Sequence, residues 1–178
     1  MRHALSQAGD RTRMNEPNEN IQPAIVIIGV GNEYRCDDAA GVTVARRLKE
    51  INLPGVSVIE ASGEGAALME AWKEAEAVIL IDAVQSGAEA GTIHRLDAHA
   101  QTIPAAFFHY STHAFSVAEA IELARTLRQL PPRLILYGIE GENFAAGTEL
   151  SAKIQRAAEE VARRILAELQ ANQSSPDS

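Results

Sequence analysis

Three apolar runs restrict this chain more than anything else in it: AIVIIGV at residues 24–30, AVILIDAV at 77–84 and RLILYGI at 133–139. None alternates apolar with polar, and all are rich in β-branched or bulky aliphatic side chains. Such short continuous runs read as strands buried on both faces, which is where helices cover a parallel sheet from either side. The intervening stretches fit that arrangement. Residues 38–51 read as a helix with Val44, Leu48 and Ile51 on one face, VSVIEA (56–61) as a further strand, and 65–73 as a short helix carrying Leu68, Met69 and Trp72. After the turn-rich QSGAEAG, TIHRL reads as an antiparallel edge strand. Residues 114–127 and 151–171 read as helices, the second turning Ile154, Val161, Ile165 and Leu169 inward. The order β-α-β-α-β-β-α-β-α predicts an α/β fold, a three-layer α/β/α sandwich around a mainly parallel twisted sheet with an antiparallel edge strand.

A chain of 178 residues, 46% of them apolar, has room for one domain with a full core. We expect that domain at 23–171, between flexible tails at 1–22 and 172–178, with Met14 as an alternative start. The net charge of −8, with no Lys/Arg cluster interleaved with aromatics, argues against nucleic acid and anionic membranes as partners. No apolar stretch approaches the roughly 20 residues of a membrane span, and the first residues hold no apolar segment like that of a secretory signal. The single cysteine, Cys36, allows no internal disulfide. A cytoplasmic location is expected.

Sheets of this kind bind ligands beyond the carboxyl ends of their strands, where strand order reverses. If the second strand lies on one side of the first and the third on the other, the crevice lies between strands one and three. The sequence gathers acids at that rim: Asp37 and Asp38 after strand one, Glu60 near the end of strand two, Asp82 near the end of strand three, and Glu140 and Glu142 after the last. His113 comes from the loop before a helix. In GVGNEYRCDDAAG, either aspartate can cap the following helix, a contribution of about 1 kcal/mol. Only one can hold the cap, however, and a bound cation would relieve the repulsion between two. Asp82 follows AVILI, where an unpaired charge costs several kcal/mol; it needs a hydrogen-bonding network, a cation or a raised pKa. Asp37 and Glu60 are candidates for supporting the site from behind.

Other features read as structural. Cys36 has no basic partner in view and is expected to be a small, partly buried thiol. Trp72, Phe107 and Phe108 are expected to pack, and His94, His99 and His109 to be surface or structural. GVGNEY carries Tyr34 where a dinucleotide fingerprint has its third glycine, and the adjacent acids would repel a pyrophosphate. Its glycines are expected to permit a tight turn after the strand.

GVGNEYRCDDAAGV, LIDAV ahead of a Gly-rich turn, STHAFSV and LILYGIEGENFAAGTELS, in that order, resemble the hydrogenase maturation endopeptidases. The likeness spans roughly residues 24 to 168. That family trims the precursor of the large subunit of nickel–iron hydrogenases. The resemblance implies the three-layer fold and a metal grip of two carboxylates and a histidine, which falls on Asp38, Asp82 and His113. It implies nickel as the metal, already carried by the substrate, with cadmium or zinc as possible surrogates. Cleavage would remove a short C-terminal extension. The segment EASGEG departs from the Asp-Gly-Gly frequent in the family after strand two, which weakens any role for Glu60. Two carboxylates and a neutral imidazole suit a divalent transition metal and leave coordination positions open, and no H-E-x-x-H is present. Two modes of attack stay open: the ion polarises the carbonyl or acidifies a water, or it serves only for docking while Asp38 activates water. Two rivals are carried as well. One is an esterase resembling peptidyl-tRNA hydrolase, whose Gly-x-Gly-Asn is present but whose following residues are missing. The other is a non-catalytic nickel-sensing assembly module.

Overall fold

The structure, a computed structural model, describes residues 24–108 and 115–173. Five strands form one sheet: β1 (Ile25–Val30), β2 (Val56–Ala61), β3 (Ala77–Val84), β4 (Ile93–Asp97) and β5 (Arg133–Glu140). Four helices flank it: α1 (Ala40–Ile51), α2 (Gly65–Trp72), α3 (Val117–Thr126) and α4 (Ala152–Gln173). The strand order is β2-β1-β3-β5-β4, with every pair parallel except β4 against β5. The expected α/β sandwich with an antiparallel edge strand is therefore what the chain forms.

Why the three founding runs lack alternation is visible in the packing. Ile27, Ile79 and Ile135 lie in one row across β1, β3 and β5 and pack under α1 and α4 with Val44, Leu48, Ile154, Val161 and Ile165. Ile28, Leu80 and Leu136 form the adjacent row and face the other way, against Leu68, Trp72 and Ile121 of α2 and α3. Each pleat thus has an apolar layer to fill on both sides. Trp72 packs as expected, with almost no exposed surface.

Several boundaries differ from the sequence reading. A 3₁₀ turn over Cys36–Ala39 precedes α1, so the helix begins at Ala40 and its N-cap is Ala39, with no side-chain cap. Neither aspartate is the cap. Helix α3 starts at Val117 behind Ser116, whose N–H donates to the Glu119 carboxylate at 2.7 Å; the expected start, Ala114, lies outside the described residues. Helix α4 runs to Gln173, past the expected end at Ala171 and into the stretch expected to be tail from residue 172. No described helix is long and apolar enough to cross a membrane.

Of the two glycines in GVGNEY, Gly31 meets the turning expectation and Gly29 has a packing use that it shares with Gly41. A Cβ on Gly41 would overlap the carbonyl oxygens of Ile81 and Val30, and one on Gly29 would overlap the Gly41 carbonyl and Ala45. They let α1 settle directly onto β1 and β3 rather than shaping a turn. Gly31 sits at φ +145°, and a Cβ there would overlap the Asp38 carbonyl oxygen. Gly41→Ala is expected to cost about 2–3 kcal/mol through this overpacking, read from urea unfolding; a neutral result would show that α1 can lift without penalty.

Candidate active site

The order β2-β1-β3 places the topological reversal between β1 and β3. A cavity of about 280 Å³ opens there, beyond the carboxyl ends of the strands. Its wall includes Val30 and Gly31 after β1, Ser62 and Gly63 after β2, and Asp82 to Gln85 at the end of β3. Asp38, from the 3₁₀ turn, also lines it.

Two carboxylates from stretches far apart in sequence therefore meet in one cavity. Asp82 is only 7% exposed. Burial first, and the nearby Asp38 charge second, push the Asp82 carboxyl well above the ordinary aspartate range, and the Ala83 N–H only partly offsets them. A raised pKa is among the remedies expected for a charge at that strand end. Two acids whose negative forms oppose each other, at the mouth of a buried strand, form a site that gains stability when a cation or a proton arrives.

Glu33 also lines the cavity, but the other acids the sequence gathers at the rim do not join Asp38 and Asp82. Asp37 is completely buried and clasps a distant loop. Its Oδ2 accepts from the N–H groups of Glu142 (3.1 Å) and Asn143 (2.8 Å) and from the Ser151 hydroxyl (2.9 Å); its Oδ1 accepts from the Ser151 N–H (2.7 Å). Glu142 thus enters through its backbone. Glu60 accepts from the Arg46 guanidinium at 2.9 Å, and Arg46 also reaches Glu33 at 3.2 Å; Glu60 is not among the cavity residues. Glu140 is nearly fully buried and accepts from the Ser86 hydroxyl (2.7 Å) and the Gly87 N–H (2.9 Å), with His94 Nε2 at 3.2 Å. The single acidic rim expected from the sequence is thus four separate arrangements.

His113 lies outside the described residues, as does His109. Among the described residues no three His, Cys, Asp or Glu side chains are grouped so as to hold a metal ion. Cys36 is buried and sits in a left-handed conformation at φ 47°. Sequence reasoning missed much of the wall: Asn32, Tyr34, Arg35, Gln85 and Phe144 line the cavity, as do Phe107 and Phe108, which had been expected only to pack. Phe107 has a further contact, a tilted ring pairing with His94 at 5.2 Å between centroids. That pairing links the Glu140 arrangement to the cavity wall, and no pattern local to any one segment announces it.

Two hydrogen-bonded glutamates carry a pH prediction. Burial pushes the Glu140 carboxyl up, but the hydrogen bonds from Ser86, Gly87 and His94 outweigh it and leave it below the usual 4.5. Hydrogen bonding to Arg95, offset by burial and supported by Tyr137 and Arg133, lowers Glu168 as well. For both groups the unfolded chain binds protons first as pH falls, so their stabilisation is full above about 4.5 and is lost below it. Urea midpoints are expected to fall between pH 5 and 3, and Glu140→Gln to flatten that fall. An unchanged slope in the variant would show that Glu140 does not carry the effect.

The comparisons with known proteins agree with this fold. The family model of HycI, described as a hydrogenase maturation protease, matches residues 42–168. The hydrogenase 2 maturation protease of Escherichia coli is 27% identical over 149 residues, covering 82% of this chain and 90% of its own. Among solved structures, the Thermococcus kodakarensis nickel–iron hydrogenase maturation protease HycI superposes with a TM-score of 0.64 at 29% identity, over 85% of this chain and 95% of that one. The E. coli hydrogenase-maturating endopeptidase HybD gives a TM-score of 0.71 over 83% and 93%, and at 23% identity supports the fold. With most of its length matched by one family model and its fold shared with that family's solved structures, the chain belongs to the hydrogenase maturation proteases and is a hydrolase of peptide bonds.

Proposed function

We propose that this protein removes the C-terminal extension of a nickel–iron hydrogenase large-subunit precursor, and that Asp38, Asp82 and His113 grip the nickel the precursor already carries. The observation that carries the reading is the meeting of Asp38 and Asp82 in one cavity at the β1/β3 reversal. The donor chemistry fits a divalent ion: each carboxylate raises the cost of ionising the other, and an ion between them removes that cost. His113, outside the described residues, is the sequence's candidate for a third donor. Phe108 and Val117, which flank the stretch containing it, both line the cavity, and the Phe115 carbonyl accepts from the Gly65 N–H at 3.0 Å. These anchors support the assignment by bounding the reach of the chain between them.

In this reading nickel belongs to the substrate. When bound it supplies positive charge beside the bond to be cut. Asp38 and Asp82 hold and orient the loaded segment; the aromatic wall of Phe107, Phe108 and Phe144 limits water around it. Asp38, lining the cavity beside Asp82, is also the side chain we assign to accepting a proton from the attacking water. Family membership leaves the esterase alternative without support. The assembly-module alternative is an outcome of the test.

That test mixes the protein with nickel-loaded and nickel-free precursors and weighs the products. Trimming of the loaded form alone is expected. Equal trimming of both would remove the metal-inspection role, and trimming of neither would favour the assembly module.

A further inference from the structure

Tyr34 stands out among the large apolar side chains. It is 67% exposed, yet it lines the cavity that holds Asp38 and Asp82. The other exposed large apolar side chains among the described residues, Ile51, Leu123 and Leu127, are not cavity residues. Exposure alone would mean little, since isolated apolar side chains are common on surfaces.

What sets Tyr34 apart is how firmly its backbone is held while its ring is left in solvent. Its N–H donates to Asn32 Oδ1 at 2.9 Å, and its carbonyl accepts from the Gly147 N–H at 3.0 Å. On the next residues, the Cys36 N–H donates to the Gly147 carbonyl and the Asp37 N–H to the Asn143 carbonyl, both at 2.9 Å, with a bridge between Arg35 and Gly147. The buried Asp37 clasp locks the same two loops together from beneath. A partner meeting this ring would pay little to order the segment that bears it. Rigid aromatic side chains presented in this way are the usual centres of protein–protein recognition.

We propose that Tyr34 is the anchor for the substrate protein, its ring entering an apolar recess on the folded body of the precursor while the segment to be cut occupies the cavity. This rests on the proposed function. The occupant follows from position: Tyr34 sits at the mouth of the cavity, so a second copy of this chain seated on it would close the entrance to the substrate.

The test measures both binding and cutting of the nickel-loaded precursor by the full chain, for wild type, Tyr34→Ala, Tyr34→Phe and the control Leu127→Ala, with thermal melts confirming that each variant folds. Tyr34→Ala is expected to raise the dissociation constant and KM at least about tenfold, with a much smaller change in kcat. Tyr34→Phe should recover most of the loss, and Leu127→Ala should match wild type. Tyr34→Ala binding and cutting like wild type would overturn the anchor. So would a wild type that binds no precursor, or sedimentation showing a dimer that Tyr34→Ala dissolves. A wild type that binds the precursor without cutting it defeats the proposed reaction instead, and the binding comparison still decides the role of Tyr34.

Discussion

Asp82→Asn is expected to abolish trimming of the precursor while making the protein more stable. The two effects have one cause. Asp82 ionises against burial and against the Asp38 charge, so its folded pKa lies well above the unfolded 3.8. Between those two values the folded chain binds more protons, and stability therefore falls as pH rises through that window. At neutral pH the unfolded carboxyl is ionised and the folded one ionises only against burial and the Asp38 charge, so the penalty is present; asparagine keeps the shape and removes it. A gain of about 1 kcal/mol is expected, typical of relieving a strained functional site. The gain should shrink toward zero near pH 3.5, where the wild-type carboxyl is already neutral. Asp38→Asn should give a smaller gain of the same sign, because its charge is the lesser cause. In activity, losing a carboxylate from the grip removes several kcal/mol of interaction, roughly a thousandfold in rate. Urea unfolding at the two pH values, beside a mass-based trimming assay, reads both. A variant that trims at the wild-type rate would take Asp82 out of the site, and one that is less stable at pH 7 would contradict the electrostatic account.

Asp37→Ala is expected to do the reverse and cost about 3–5 kcal/mol of stability. The adjacent aspartate is buried with all its accepting capacity directed at four donors of residues 142–151. Truncation leaves three backbone N–H groups and a hydroxyl in a fully buried site without the acceptor that satisfied them, each at a cost of about 1 kcal/mol or more. A helix cap would give only about 1 kcal/mol, so the size of the loss separates the two roles. Ser151→Ala, which removes a single donor, should cost about 1 kcal/mol. A loss under 1 kcal/mol for Asp37→Ala would mean that the loop is held by its other contacts. The same variant should also weaken trimming, because the clasped loop carries Phe144 to the cavity wall.

Asp37 and Asp38 thus share a dipeptide and almost nothing else. In a 3₁₀ turn, consecutive side chains diverge by about 120°, so one aspartate is turned into the protein and its neighbour toward the cavity. Nothing in the letters DD says which is which. The same holds for Glu140, whose partners Ser86 and Gly87 come from the loop after β3 and His94 from β4, and for Glu60, which Arg46 takes up across the β2–α1 surface.

The sheet, its helices and the special position of Asp82 were legible in the sequence because each depends on a short-range pattern. Continuous apolar runs require burial on both sides, and a carboxylate at the end of such a run is anomalous wherever the strand is placed. Which acids meet, which ones brace loops and which aromatic is left standing at the cavity mouth were decided only by tertiary structure. Those outcomes depend on pairs more than 100 residues apart, such as Asp37 with Ser151, and on strand order, which sets β1 beside β3 and sends β2 and β5 to opposite sides. A linear pattern records how each segment meets a core; it does not record which distant segment the core brings alongside.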